Sequence, residues 1–320
     1  MDLSVILVSY RSRDLLLACL RGLCREIAQA GVTAEILVVD NDSNDGTLEA
    51  LAADFPAVRV IANRENAGYA RAVNQGLRAT TAPFALIMNP DCEPRPGLIR
   101  ALLDHVAARP RTGIAGPKIL NPDCIPRPGA LRALLDYARA HPKVGIAAPK
   151  IFNPPGETLE LSARSFPNAL TFLFNRYSLL TRLCPRNPFT RRYLLTDWDH
   201  DSVREVDWVS GACMLARRTA IEQVGGMDEA YFMFNEDVDW CRRMKQAGWA
   251  VTFEPAAAVV HRIGASRTKV AARVIWARHL GMIHYFHKHH PTSFLLSLPA
   301  DGFILLRALL MIAANAVRPR

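Results

Sequence analysis

Several patterns are missing from this 320-residue sequence, and each absence removes a class of protein. The seven cysteines (Cys19, Cys24, Cys92, Cys124, Cys184, Cys213, Cys241) form no C-x-x-C pair, and their number is odd. A reducing compartment is therefore expected rather than a disulfide framework. There is no G-x-G-x-x-G and no G-x-x-x-x-G-K-[ST], which argues against a dinucleotide dehydrogenase and a P-loop NTPase. The N-terminus has no basic stretch leading into a long apolar run, so no signal peptide is expected. Clean spanning segments are scarce as well. The most apolar stretch, Ser293 to Val317, is interrupted by Pro299, Asp301, Gly302 and Arg307. A spanning helix needs about 20 mostly uncharged residues, so an interfacial helix is the favoured expectation, with a core helix or dimer contact as the alternative.

What is present suits one large domain or two modest ones. Half of the residues are apolar, enough for a full core, and the net charge is +9. That charge points to an anionic partner: nucleotide phosphates, an anionic membrane face or nucleic acid. Leu3 to Tyr10, Glu35 to Asp40, Val58 to Ile61 and Phe84 to Met88 read as short apolar strands. Helical spacing separates them: Leu16, Leu20, Leu23 and Ile27 before Gly31, then about Thr47 to Ala53, then Asn66 to Leu77. This alternation predicts a parallel α/β sheet with helices on both faces.

In such a sheet the C-terminal strand ends line one crevice. The polar residues gathered there are Ser9, Tyr10, Asp40, Asp42, Asn66, Arg71, Asn74 and Asp91. Asp40 is placed to accept hydrogen bonds from a base or ribose, and Arg71 to reach a diphosphate. Asp42, Asn44 and Asp45 serve equally well as loop caps. Asn89-Pro90-Asp91 ends the fourth strand, because Pro90 cannot continue a ladder. Chemistry alone leaves Asp91 as either a metal ligand or an ordinary turn carboxylate.

The segments Val8-Ser9-Tyr10, Val38 to Thr47 (VVDNDSNDGT), Asn66 to Gly76 (NAGYARAVNQG) and Asn89-Pro90-Asp91 resemble the family 2 glycosyltransferases of the GT-A fold, nearest the bacterial rhamnosyltransferase branch. The resemblance covers roughly residues 1 to 290. It implies a three-layer α/β/α domain over residues 1–268, with a mostly parallel sheet and a basic, apolar helical tail over 269–320. It further implies inverting transfer from a nucleotide-sugar, for example dTDP-rhamnose, to a lipid-linked or polysaccharide acceptor. Asn89 stands where the family's D-x-D motif has its first Asp, and Asp91 matches the metal ligand. Ser9, Tyr10, Asp40, Asp42, Gly68, Arg71, Asn74 and Asn89 are the donor-binding candidates.

Residues 89–120 are followed by a near copy, 121–152, each reading as turn, helix and strand. The family pattern needs one copy, so Asp91 and Asp123 compete as metal aspartates. Asp91 is preferred because a clearer buried strand precedes it, whereas Pro117 and Lys118 weaken the run before Asp123. The extra unit either extends the sheet or protrudes.

Further on, Phe172, Phe174, Tyr177, Leu179 and Leu180 alternate with Arg176, Arg182, Arg186, Arg191 and Arg192. The mixture suits a segment that touches membrane or a lipid-linked acceptor, or a solvated loop with core anchors. Trp208 and Gly211 open the next strand and are acceptor-side candidates. Asp228, Glu229, Glu236, Asp237 and Asp239 supply carboxylates for a general base. The family's E-D motif matches Glu236-Asp237 and singles out Asp237 at a helix N-terminus, where the dipole favours an ionised carboxylate. Asp239 and Arg243 are spaced to pair along that helix. The resemblance also places His261 in the metal shell, and Mg²⁺ or Mn²⁺ is implied. Basic residues from Arg262 to His290 adjoin the apolar tail, which favours a peripheral site on the cytoplasmic leaflet. Other readings are a metal-dependent nucleotidyltransferase and a basic nucleic-acid-binding module. The second lacks aromatic-interleaved basic platforms, so no nucleic-acid partner is expected.

Overall fold

The computed structural model describes residues 1–94, 99, 114–120, 144–148, 151–153, 158–160, 162–168, 171, 181, 183–184, 187–200, 202–261, 272–290 and 294–317. At 93–94, 114–120, 144–148, 151–153, 158–160, 254–261, 294–296 and 317 the description is of backbone only. The expected helices within 97–109 and 129–141, and Asp123, lie outside these residues apart from Ile99.

Strands β1 (Leu3–Ser9), β2 (Ala34–Asp40), β3 (Arg59–Ala62) and β4 (Phe84–Met88) pair in parallel, in the order β3-β2-β1-β4. Helices α1 (Arg13–Ala30), α2 (Thr47–Asp54) and α3 (Tyr69–Ala79) make the connections. Gly31 ends α1 in the left-handed region, and its N–H donates to the Ala28 carbonyl. The period of two then assigns each strand residue to a face. Leu3, Val5, Leu7, Leu86 and Met88 pack with Leu16, Leu20 and Leu23 of α1. Ile6, Val8, Ala85 and Ile87 pack with Ala70, Val73 and Leu77 of α3. Each such buried leucine or isoleucine contributes about 1.5–3 kcal/mol. The run of buried residues in β1 and β4 is therefore a strand covered on both sides.

Beyond β4 the sheet changes direction. Strand β5 (Cys92–Pro94) and strand β6 (Ile114–Leu120) follow the turn, and β7 (Val144–Ala148) comes from the copied unit. A separate hairpin joins β8 (Ile151–Asn153) and β9 (Thr158–Glu160), and a second small sheet joins β10 (Ala163–Arg164) and β12 (Trp208–Val209). Helix α4 (Pro188–Leu194) and strand β11 (Arg204–Glu205) lie between β10 and β12 in sequence. Strand β13 (Cys213–Arg217) runs antiparallel to both β4 and β6. The main sheet continues to β14 (Ala250–His261), which is parallel to β6 and antiparallel to β11 and β5.

Of the copied unit, strand β7 joins the main sheet. Ile114 of β6 and Ile146 of β7 both register on Val251 of β14, in the same parallel sense.

Helix α5 (Arg218–Val224) leads to α6 (Glu236–Gln246), whose Val238, Trp240, Cys241 and Met244 complete the core on the α3 face. The C-terminal segment divides in two. Helix α7 (Ala272–His289) buries Tyr285 in that same core. Helix α8 (Phe294–Val317) packs against α7 but exposes Leu298, Phe303, Leu306, Leu309 and Leu310. The interruptions seen in the sequence do not break it: the helix continues through Pro299, Asp301, Gly302 and Arg307. Its stretch Ser297–Ala316 is long and apolar enough to cross a membrane by length and composition, with only 11% of it buried.

Candidate active site

The first wall of the site comes from the ends of β1, β2 and β3. Asp40 is buried, and its carboxylate accepts from both the N–H (3.1 Å) and the hydroxyl of Ser43. This folds the Asn41–Thr47 loop back and leaves a cavity of about 340 Å³ lined by Asp40, Asp42, Asn44, Glu49 and Asn63. Asp42 and Asn44 both adopt positive φ, and the Asn44 amide donates to the Asp42 carboxylate at 2.6 Å. Asp45 caps Thr47 through its N–H at 3.2 Å. Ser9 is buried with its hydroxyl 3.1 Å from that of Ser12, and the Arg11 guanidinium stands over the Tyr10 ring.

An amide network that the sequence did not reveal ties this wall together. Asn41 donates to the Gly68 carbonyl at 3.2 Å and accepts from Asn63 at 2.7 Å, and Asn63 also pairs with Gln75. The signal was present in the asparagines, but their partners are 12 to 27 residues away. Gly68 itself has φ of +87°, and a Cβ there would lie 2.7 Å from the Phe232 carbonyl oxygen. The next residue, Tyr69, donates its N–H to that same oxygen at 2.7 Å. The glycine thus lets α3 start directly against the 231–234 loop.

The second wall is built on the dipeptide Gly211-Ala212. The Asn89 N–H donates to the Ala212 carbonyl at 2.9 Å, and the Cys92 thiol reaches the same oxygen at 3.3 Å. From the other side, the Gly211 N–H donates to Asp237 Oδ2 at 2.9 Å, while the Tyr69 hydroxyl donates to the Gly211 carbonyl at 3.1 Å. A Cβ on Gly211 would stand 3.3 Å from the Asp237 Cβ, so a small residue is needed. The Asn89–Asp91 turn and Asp237 are therefore both hydrogen-bonded to the short Gly211-Ala212 segment, although 146 residues separate Asp91 from Asp237 in sequence.

The electrostatics of Glu236 and Asp237 differ. Glu236 is 6% exposed and its Oε2 has no hydrogen-bond partner among the described residues. Burial pushes its carboxyl well above the ordinary range, and the neighbouring Asp237 charge adds to this. Burial also raises Asp237, but N–H groups of Gly211 and Val238 and the Arg164 guanidinium oppose it. Asp237 is thus the member of the pair that ionises first, and Glu236 keeps the proton. A carboxylate raised above its usual range is a stronger base than a free one. Tyr69 is held in its protonated, donating form by burial and by the neighbouring Asp237 charge.

Asn89 Oδ1 is buried with no hydrogen-bond partner among the described residues. Asp91 lies two residues on, and the backbone of His261 is paired with Cys92, the next residue after Asp91. The Cys92 thiol is kept protonated by burial and by Asp91, so it does not compete as a ligand. Among the described residues no three His, Cys, Asp or Glu side chains form a metal cluster by themselves. Two protein oxygens at the turn suit a hard ion that takes its remaining ligands from a diphosphate.

Two expectations change. Asn74 does not face a donor: its amide donates to the Met227 carbonyl (2.7 Å) and Glu229 (2.9 Å) and accepts from the Met227 N–H (2.9 Å). It is a buried bolt between α3 and the 226–229 loop. Trp208 is 6% exposed, its indole N–H is spent on the Ser165 carbonyl at 2.9 Å, and Arg164 covers its ring. It is part of the wall, not a surface for an acceptor. Arg71 is exposed on the first turn of α3.

Behind Asp237, α6 is clamped to α7. Asp239, fully buried, binds Arg243 (2.7 Å), Lys288 (2.8 Å) and His289 (2.6 Å). Asp228 binds His284 (3.0 Å) and Lys288 (2.7 Å), which hold its carboxyl well below the usual range despite the opposing effect of burial. The Asp239–Arg243 pairing follows the helical spacing; its Lys288 and His289 partners come from 49 and 50 residues away.

The sequence pattern of the family described as Glycosyl transferase family 2 matches residues 4–119, and that of Glycosyl transferase family 21 matches residues 200–317. The N-acetylglucosaminyl-diphospho-decaprenol L-rhamnosyltransferase of Mycobacterium tuberculosis (strain ATCC 25618 / H37Rv) is 33% identical over 298 residues, spanning 89% of this chain and 85% of that protein. Rhamnosyltransferase WbbL of Escherichia coli (strain K12) is 41% identical over 56 residues, 18% of this chain and 21% of the relative. Among solved structures, a mannosyltransferase of Pyrobaculum calidifontis in complex with GDP-Man and Mn²⁺ superposes with a TM-score of 0.53 at 17% identity, covering 100% of this chain and 76% of that one. GalNAc-T7 with UDP, GalNAc and Mn²⁺ gives 0.54 at 15% identity, covering 82% and 44%. At these identities the structures establish the GT-A fold.

Proposed function

The chain belongs to glycosyl transferase family 2 and is a glycosyltransferase, and from that premise we propose a metal-assisted, inverting transfer of a sugar, rhamnose from dTDP-rhamnose, onto a sugar carried by a polyprenyl diphosphate. The nucleotide occupies the cavity at the ends of β2 and β3, where the Asp40 and Asp42 carboxylates offer acceptors to a base and ribose. Arg71 stands exposed at the start of α3, able to turn toward the diphosphate.

The acceptor hydroxyl lies against Asp237. As its oxygen forms a bond to the anomeric carbon, its proton passes to the Asp237 carboxylate. The bond from that carbon to the phosphate oxygen breaks on the opposite face, and the nucleoside diphosphate leaves with the electron pair. One displacement inverts the anomeric configuration. The Gly211 N–H keeps the attacking face of Asp237 fixed, and Glu236, protonated and neutral, spares it a like charge. Mg²⁺ or Mn²⁺ would be held by Asp91 with Asn89 and His261, where it would neutralise charge growing on the leaving diphosphate. The fit rests on the buried, unpartnered Asn89 Oδ1 beside Asp91.

The observation that carries this reading is the shared Gly211-Ala212 peptide, which fixes the proposed base and the Asn89–Asp91 turn relative to each other. The mycobacterial relative, named for a diphospho-decaprenol acceptor, supports the acceptor class. The exposed apolar face of α8 and the chain's net charge of +9 support a peripheral place on the cytoplasmic leaflet, where such acceptors are presented. The test is a transfer assay with purified protein, dTDP-rhamnose and a short-chain polyprenyl diphospho-N-acetylglucosamine, with Mn²⁺ and with EDTA. Metal-dependent product that disappears in Asp237→Asn is expected. Full turnover in EDTA, or in Asp237→Asn, would refute the assignment.

A further inference from the structure

A second cavity, of about 390 Å³, lies beside α4. Its lining includes Arg191 and Arg192 from the last turn of α4, Arg204 of β11, Ser165, Leu195 and Asp197. Three guanidinium groups thus face one carboxylate. All three arginines are exposed, and none makes an ion pair with a carboxylate among the described residues. Arg204 instead stands 5.3 Å over the Trp198 ring, which fixes its direction. The contrast with the proposed donor cavity is chemical: that one is lined by Asp40, Asp42 and Glu49 and has no arginine among the described residues.

The cavity is joined to the base by one short strand. The Ser210 N–H donates to the Ser162 carbonyl at 3.0 Å, and the next residue, Gly211, holds Asp237. Three residues beyond Ser162, Ser165 lines the cavity, with its N–H on the Tyr193 carbonyl and its hydroxyl on the Arg192 carbonyl. An extended chain advances about 3.3 Å per residue, so the cavity opens roughly 10 Å from the Gly211 peptide. Arg164 lies between the two and already acts on Asp237. That spacing suits a sugar ring whose hydroxyl meets Asp237 and whose anomeric phosphate projects the other way.

We propose that the Arg191–Arg192–Arg204 cavity binds the diphosphate of a polyprenyl-linked sugar acceptor. This rests on the acceptor class assigned above. Guanidinium groups suit the paired oxygens of a diphosphate because their fork-like donors bind two at once. Leu195 offers apolar surface at the same place for the start of the lipid.

The test uses the full chain, with Arg191→Ala/Arg192→Ala as one variant and Arg204→Ala as another. Their side chains are exposed, so folding is expected to be retained; melting curves check it. The KM for a short-chain polyprenyl diphospho-sugar should rise roughly tenfold or more for each guanidinium removed, while the KM for the nucleotide-sugar stays as in wild type. Calorimetric titration with inorganic pyrophosphate should weaken in step, and recovery on phosphatidylglycerol vesicles should stay the same. Unaltered acceptor KM in both variants, with wild type active, overturns the assignment. So does loss of vesicle binding without a change in acceptor KM, which would make the arginines a lipid-headgroup site. A third outcome separates the two claims: if wild type transfers to no diphosphate-linked acceptor but pyrophosphate binding still falls with the arginines, the anion site stands and the acceptor class fails. Absence of any arginine-dependent pyrophosphate binding sinks the site itself.

Discussion

Replacing Glu236 by glutamine should leave the acid limb of the pH–rate profile where it is. The reasoning comes from the unequal surroundings of two adjacent carboxyls. Asp237 receives N–H groups from Gly211 and Val238, whereas Oε2 of buried Glu236 has no partner among the described residues. As pH rises, Asp237 ionises first and its charge then holds the Glu236 proton in place. The neutral amide of the Glu236→Gln variant would therefore imitate the state that Glu236 already has. The expected result is activity within a few-fold of wild type and a kcat/KM acid limb that moves by less than about 0.3 pH unit, because a full unit would mean about 1.4 kcal/mol of charge coupling. That limb should lie above the ordinary aspartate value of about 3.9, since burial raises Asp237. Stability carries the same sign. A carboxyl whose folded pKa is raised contributes stability below its unfolded pKa, and loses it as pH rises through the folded value. The Glu236→Gln protein should thus gain melting temperature over wild type on the alkaline side and gain little at low pH. Asp237→Asn is the control and should lose about 10²–10⁴-fold in kcat. A downward shift of a unit or more in the Glu236→Gln limb would show that Glu236 is ionised when Asp237 titrates, and the argument would fail.

Gly68→Ala should destabilise the chain by about 2 kcal/mol or more, because the new Cβ meets the Phe232 carbonyl at a backbone conformation L-residues disfavour; denaturant midpoints measure this. Asp239→Asn should cost about 3–5 kcal/mol, since it leaves Arg243 and Lys288 without their buried partner. The Asp239 carboxyl is held low by Lys288, Arg243 and His289 against the effect of burial. Its contribution is therefore present above the unfolded pKa and falls away as pH drops, so wild type and variant should converge in acid melts. Asp91→Ala should abolish metal-dependent turnover while Asp123→Ala retains it; the reverse pattern would move the metal to the copied unit. Leu306→Glu/Leu310→Glu on the exposed face of α8 should reduce recovery with anionic vesicles in a flotation assay, with the transfer rate on a water-soluble acceptor as the check on folding.

The first four strands and three helices were legible because their signals are local. Runs such as Phe84 to Met88 are apolar on every residue, as a strand covered on both faces must be, and α1 ends at a glycine whose φ is positive. Asp237 was one of several equivalent carboxylates until the Glu236-Asp237 match singled it out. A crevice at the strand ends was expected, and a cavity lies at the ends of β2 and β3, yet the amides beside it were not legible, because Asn41, Asn63 and Gln75 choose partners across three elements. Asn74 was misread for the same reason: an asparagine on a crevice-side helix looks like a ligand contact until a loop 153 residues away takes both ends of its amide. The arginines of α4 were noted as a basic, apolar mixture, but the cavity they share with Arg204 exists only once β11 is beside them.

By itself the sequence determined what repeats along the chain: the strand and helix periods, the doubled unit, the chemistry of each strand end and, through its motifs, the family. The tertiary structure decided what those groups do to one another. It put Gly211 between Asp237 and the Asn89–Asp91 turn, withheld Asn74 and Trp208 from ligand, and left the Glu236 carboxyl buried beside an ionised neighbour. The division has one physical cause. Periodicity fixes a side chain's face within a few residues, whereas its hydrogen-bond partner and its dielectric surroundings are set by whichever distant segment packs against it.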